Sequence, residues 1–199
     1  MPDYNKVDKW PIFDAEKANE IDAEKYRLRI DGLVEEPFEM SLEEIKALPR
    51  AVKNLRLTSV SGWSVRADWE GVVFSDVLAK IKRKPGAEFV NFHSTGGRDK
   101  YTSCVAMKDL TPPNTMLVYG ANGRPLRHEE GAPVRMLIPH LWGYKGVKWL
   151  VRIEFTDKSV EGYWETRGYP NEAPIQPGSI FDVNSRQKRQ ISGGEITEF

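Results

Sequence analysis

Apolar and polar residues alternate with a period of two through Tyr26-Arg27-Leu28-Arg29-Ile30, which predicts a half-buried strand closed by the turn pair Asp31-Gly32. Residues 55–60 read as another strand, with Leu55 and Leu57 on one face; residues 89–94 read as a third that breaks at Gly96-Gly97. Short strands are expected at 116–119 and 134–138, with the turn pair Asn122-Gly123 between them. The clearest alternation spans 147–155, where Val147, Trp149, Val151, Ile153 and Phe155 would share a face. Helical spacing is rarer. Ser41-Leu42-Glu43-Glu44 has the form of a capping box, in which hydroxyl and carboxylate satisfy each other's free amides, and predicts a short helix through Ile45 and Leu48 that stops at Pro49. Val77, Leu78 and Ile81 predict a second helix over 75–82, ended by Pro85-Gly86.

Residues 1 to about 24 are polar and mixed around the apolar patch Trp10-Pro11-Ile12-Phe13, and predict an irregular arm. The stretch from Gly168, and the tail from about 170 to 199, is rich in Pro, Gly, Asn and charge and is expected to add little to the core. No repeat or linker divides the chain. The expectation is one α+β domain over 1–199, mixed and mainly β with short helices, and functional loops between strands.

Composition narrows the function classes. Lys+Arg and Asp+Glu balance at 29 each, so no net field attracts nucleic acid. No apolar run approaches the length of a membrane span, and the opening residues lack the apolar core of a signal peptide. The single cysteine, Cys104, excludes an intrachain disulfide framework and a multi-cysteine metal site. A cytoplasmic protein is the expectation, with an exported mature form stripped of its leader as the alternative. His93, His128 and His140 lack metal-ligand spacing, and no His-Glu-x-x-His, Gly-x-Ser-x-Gly or phosphate-loop motif occurs.

Ordered motif blocks point elsewhere. They are Asp31-Gly32-Leu33-Val34-Glu35-x-Pro37, Ser59-Val60-Ser61-Gly62-Trp63-Ser64 with Trp69-Glu70-Gly71-Val72, Asn122-Gly123-x-Pro125-Leu126, Gly131-Ala132-Pro133-Val134-Arg135, Gly143-Tyr144-Lys145-Gly146-Val147-Lys148-Trp149 and Gly162-Tyr163-Trp164-Glu165-x-Arg167-Gly168-Tyr169. Taken in this order, they resemble the sulfite-oxidase-like molybdopterin-binding family, to which the bacterial methionine sulfoxide reductase catalytic subunits are related. No Cys-x-x-Cys-His haem motif accompanies them.

The resemblance implies the family's mainly β molybdopterin-domain fold. It also implies molybdopterin carrying molybdenum as cofactor, oxygen-atom transfer on a small oxyanion or sulfoxide, and an external electron-transfer partner. It assigns cofactor contacts to Ile12, Phe13, Ser94, Glu130, Arg135, Gly146 and Lys148, and the catalytic metal-ligand position to Ser59. Arg135 would give a bidentate fork and Lys148 a point charge to a phosphate, with the amides of Gly143 and Gly146 turned to the same oxygens. Read without the blocks, the same residues are strand-surface charges and turn glycines, and Ser94 is a turn hydroxyl. Trp-Pro-Ile-Phe is then a hydrophobic anchor for the arm.

The family reads Cys where this chain has Ser59. A hydroxyl is harder and far less acidic than a thiol. The remaining modes are alkoxide ligation, a metal held by its dithiolene alone, or no metal, so occupancy turns on Ser59. The matching alternative is a catalytically inactive relative that keeps the fold and pterin pocket as a binding or interaction protein. Thr58 and Glu130 also depart from the family pattern around the same site, and a carboxylate beside an anionic cofactor requires a proton or a paired cation. Cys104 is expected to be a buried thiol, with a route to the metal as the alternative. Arg98 and Lys100 follow Gly96-Gly97 as candidate oxyanion contacts or as a solvated loop.

Overall fold

The structure is a computed structural model that describes residues 3–5, 11–13, 18–96, 100–183 and 185–191. Trp10, Gly97 and Arg98, named above, lie outside the described residues. In chain order the elements are β1 (Asp3–Asn5), β2 (Arg27–Gly32), β3 (Phe38–Ser41), α1 (Leu42–Lys46), β4 (Arg50–Ser59), β5 (Trp63–Val73) and α2 (Phe74–Leu78). They continue with β6 (Phe89–Ser94), β7 (Thr102–Ala106), β8 (Met116–Ala121), β9 (Arg124–Pro125), β10 (Arg135–Leu137), β11 (Leu150–Thr156), β12 (Gly178–Asp182) and β13 (Gln187–Ile191).

Two sheets carry the fold. A six-stranded sheet runs β1-β5-β8-β10, with β4 on β5 and β9 on β8; a five-stranded sheet runs β3-β2-β11-β6-β7. The main core draws Leu28, Ile30, Phe92 and Ile153 from the second sheet, and Val72, Leu117 and Met136 from the first. A smaller core of Leu57, Val65, Trp69, Met116 and Val118 lies on the other side of the six-stranded sheet. β8 feeds both, since alternation sends Leu117 one way and Met116 and Val118 the other. Among the described residues no helix is long and apolar enough to cross a membrane.

The block Trp69-Glu70-Gly71 is explained by this sheet. Register shifts between Glu70 and Gly71 where β5 meets β8, and a Cβ on Gly71 would overlap the Leu117 carbonyl oxygen. Only glycine allows that approach. Trp69 is fully buried and donates its indole N–H to the Leu55 carbonyl (3.0 Å), while Glu70 pairs with Arg50 (2.8 Å).

The capping box at Ser41 forms as the sequence predicts, with Glu44 closing it from both directions. The strand at 89–94 also forms. Other elements differ from expectation. The strand predicted from 147 begins only at Leu150, because Trp149 takes φ +48 and a bulge follows between Leu150 and Arg152. Trp149 is held there by its amide on the Gly131 carbonyl (3.3 Å) and its indole on the His128 carbonyl (2.7 Å). The second helix is shorter than 75–82, ending by Ala79. Asn122 and Gly123, both at positive φ, close the β8–β9 hairpin rather than leading directly to residues 134–138.

The stretch after Gly168 is a further correction. It forms the β12–β13 hairpin, and Ala173, Ile175 and Ile191 pack into the main core. The few apolar residues among its Pro, Gly and charge are spaced so that they reach the core one at a time. The backbone is tied in as well, with the Trp142 amide donating to the Ala173 carbonyl (2.9 Å) and the Ile175 amide to the His140 carbonyl (3.0 Å).

Candidate functional site

A cleft of about 810 Å³, counted out to its open mouth, lies where the end of β4 and the start of β10 meet the turns that follow the two strands. Its lining brings together Ile12, Phe13, Ser59, Arg135, Gly146 and Lys148, residues far apart in sequence. Ser59 ends β4, Arg135 opens β10, and Lys148 sits in the irregular segment before β11.

Arg135 is the electrostatic centre. Its side chain is buried, and its hydrogen bonds go to neutral acceptors: the carbonyls of Glu130 (3.0 Å), Met136 (3.4 Å) and Gly146 (3.4 Å). Its guanidinium also lies 5.6 Å from the Trp69 ring. Burial lowers its pKa to about 10, still far above neutrality, so the group stays cationic. A buried cation bonded to carbonyls is costly on its own and gains when an anion comes alongside. Lys148 adds charge nearby: its ammonium donates to the carbonyls of Phe13 (2.8 Å) and Glu129 (3.2 Å) and lies 4.0 Å from the Trp149 ring. The same lysine thereby ties Ile12 and Phe13 to the cleft, and the Phe13 ring meets Trp164 at 5.2 Å.

At the other wall, Ser59 opens the turn between β4 and β5. The Ser61 amide donates to Ser59 Oγ (3.2 Å) and the Gly62 amide to the Ser59 carbonyl (3.2 Å). With its oxygen already accepting from the backbone, the hydroxyl keeps its proton to offer a ligand. Thr58 points to the opposite face of the ladder. Its buried hydroxyl and that of Ser64, its cross-strand neighbour, have no hydrogen-bond partner among the described residues.

The profile of a family described as "oxidoreductase molybdopterin binding domain" matches residues 15–164. The chain belongs to this family. It is 37% identical over 150 residues to the uncharacterized oxidoreductase YuiH of Bacillus subtilis (strain 168), covering 74% of each chain. It is 26% identical over 181 residues to the protein-methionine-sulfoxide reductase catalytic subunit MsrP of Campylobacter jejuni, covering 84% of this chain and 59% of that one. Among solved structures, the sulfane dehydrogenase SoxCD of Paracoccus pantotrophus superposes with a TM-score of 0.69 at 24% identity, over 89% of this chain and 47% of that chain. The mainly β molybdopterin-domain fold expected from sequence is thus the fold observed.

Within this molybdopterin-binding domain, not every expected contact reaches the cleft. Glu130 is buried, but its carboxylate accepts both arms of Arg124 (2.8 Å each) and the Arg127 amide (2.8 Å). Burial works to raise its pKa, and Arg124 with the Arg127 amide more than offsets this, holding it below the usual glutamate range. The carboxylate is therefore paired away from Arg135, which takes only the Glu130 carbonyl. Ser94 is buried outside the cleft lining, and its hydroxyl accepts the Gly96 amide (3.1 Å).

The amide of Gly146 closes a turn onto the Gly143 carbonyl (3.1 Å) rather than facing the cleft. The value of Gly146 lies in its missing side chain, since a Cβ there would stand 2.9 Å from the Met136 carbonyl oxygen. Cys104 is buried outside the lining, with burial pushing its thiol pKa up. His93 meets Glu154 (2.8 Å) and His140 meets Asp109 (3.2 Å). Among the described residues, no group of three or more His, Cys, Asp or Glu is placed to hold a metal. Lys100 is exposed and outside the lining.

The aromatic wall is a feature that residue spacing does not predict. Tyr101, Tyr144, Trp164 and Tyr169 all line the cleft; Tyr144 and Tyr169 stack at 5.0 Å, and Tyr101 donates its hydroxyl to the Tyr144 carbonyl. Behind this wall, Lys145 and Glu165 form an ion pair that is almost wholly buried. The sequence signal for the wall is the aromatic content of Gly143-Tyr144, Gly162-Tyr163-Trp164 and Gly168-Tyr169.

Proposed function

We propose that the cleft holds molybdopterin, with Arg135 and Lys148 on its phosphate and Ser59 facing its metal end. The reaction proposed is oxygen-atom transfer on a small oxyanion or sulfoxide, with electrons exchanged with an external partner. The observation that carries the reading is Arg135, a buried cation on the cleft wall whose own bonds go to carbonyls. When bound, the molybdenum cofactor supplies the oxygen-atom and two-electron chemistry. The chain's part is to bind and orient: two cations for an anionic tail, aromatic faces to exclude water, and a hydroxyl proton at Ser59. The proposed compartment is the cytoplasm, in keeping with a free buried thiol at Cys104.

A second reading is favoured by one observation. Ser59 Oγ already accepts the Ser61 amide, an arrangement suited to a turn hydroxyl that ligates nothing. The domain would then keep the pterin pocket without a working metal centre.

The test is protein made in a cofactor-competent host and assayed for molybdenum and for pterin fluorescence. Pterin at one equivalent per chain is expected, and none would sink both readings of the pocket. Arg135→Met should cut pterin retention roughly 10- to 100-fold, the loss of a charge-assisted hydrogen bond, without lowering the melting temperature. Molybdenum in step with pterin supports the enzyme; pterin without molybdenum, recovered by Ser59→Cys, supports the second reading.

A further inference from the structure

The β12–β13 hairpin lies beyond the residues 15–164 that the family profile matches, yet it touches both walls of the cleft. Asp182, nearly fully buried, accepts the Tyr169 hydroxyl on one oxygen (3.0 Å); its other oxygen accepts Ser185 Oγ (2.8 Å) and Arg189 Nε (3.1 Å). Tyr169 lines the cleft and stacks on Tyr144, whose hydroxyl in turn donates to the Pro170 carbonyl (2.7 Å). Arg189 runs the other way. Its Nη1 and Cδ lie 3.2 and 3.3 Å from where a Cβ on Gly62 would stand, and Gly62, at φ +86, closes the turn that holds Ser59.

We infer that the Asp182–Arg189 pair is a brace that sets the Ser59 turn against the aromatic wall, making Asp182 and Arg189 positioning residues of the cleft. One end of the brace fixes Tyr169 by a hydrogen bond to a buried carboxylate. The other end lays a guanidinium stem across a glycine with no side chain to hold it off. An ion pair whose partners are held by further hydrogen bonds keeps its geometry better than either side chain alone. The consequence for ligand binding rests on the cofactor reading above; the bracing itself does not.

The test is amide hydrogen exchange in Arg189→Met, Arg189→Lys and Asp182→Asn chains, read at Ser61 and Gly62 and, as a control, at Phe92 in β6. Arg189→Met keeps an aliphatic stem over Gly62 but removes the ion pair. It should speed exchange at Ser61 and Gly62 about tenfold while Phe92 is unchanged, and Arg189→Lys should restore most of the protection. In protein that carries pterin, retention should fall with the same order of variants. Unchanged exchange at Ser61 and Gly62 in Arg189→Met overturns the brace. Equal acceleration at Phe92 also overturns it, since that is general loosening. If Asp182→Asn fails to fold, Arg189→Met still decides, because Arg189 is one-third exposed. A parent chain without pterin defeats the cofactor reading and leaves the exchange result standing.

Discussion

Lys145 and Glu165 stand directly behind the cleft, each side chain 1% exposed. The ammonium also donates to the Cys104 carbonyl (2.9 Å), and Glu165 accepts Ser103 Oγ (2.9 Å). Their chain neighbours Tyr144 and Trp164 line the cleft, so the pair pins two turns that carry its wall. Removing one partner strands the other charge in a low-dielectric interior. Lys145→Met alone should cost about 3–5 kcal/mol in urea unfolding, and Lys145→Met with Glu165→Met should cost clearly less. A single variant costing under about 1 kcal/mol would show that the pair is not isolated from water. Nothing in the residue pattern announces this pair, because 20 residues separate partners on turns that no period relates. Ser59, Arg135 and Lys148 were legible as parts of one cleft, since ordered blocks fix where backbone goes. They do not fix where a side chain turns: Glu130 faces Arg124, a choice made by the local hairpin and invisible in a motif.

Elements with one buried face were legible, as in β2, where Leu28 and Ile30 are buried between exposed Arg27 and Arg29, because alternation records a single boundary between core and water. β5 was harder, since it changes phase at the Glu70–Gly71 bulge; β8, although buried on both faces, was still read as a strand at 116–119. The irregular segment before β11 was hidden for another reason: Trp149 at φ +48 is a conformation dictated by its contacts with residues 128–131, not by its own preference. Gly131 is the other half of that junction. It has φ +107, and a Cβ there would lie 2.8 Å from Cβ of Lys148 and 3.1 Å from its Cα. Gly131→Ala therefore strains the backbone and pushes Lys148 from its place. The expected loss is about 1–3 kcal/mol by denaturant midpoint, together with weaker pterin retention. An alanine variant with unchanged midpoint and retention would show that the junction absorbs the methyl group.

At the scale of the whole molecule, charge balance conceals a pH asymmetry. Asp31 is held below the usual aspartate range: burial raises it, and Arg152 and Arg29 more than compensate. Glu70 is lowered by its hydrogen bond with Arg50, and Glu130 by Arg124 and the Arg127 amide against the opposing effect of burial. For each of these acids the folded pKa lies below the unfolded value, so the unfolded chain takes up protons first as pH falls. Their stabilisation is fully present above the ordinary carboxylate range and is lost as pH drops through the lowered folded values. Tyr26, Tyr144 and Tyr169 set the other limit. Burial raises their pKa values, so the stability they contribute is present below the ordinary tyrosine value of 10.0 and is lost as pH climbs from there toward the raised folded values. Urea midpoints should therefore be nearly flat from about pH 5 to about pH 9 and fall on both sides. Glu130→Gln isolates one contributor. It should be less stable than the parent at about pH 7, where the carboxylate is ionised in both states of the parent. The gap should narrow steadily as pH falls below the ordinary glutamate range, where the unfolded parent takes up the proton before the folded one. A gap that stays constant across that range would mean that the Arg124–Glu130 contact stabilises the fold through packing, not charge.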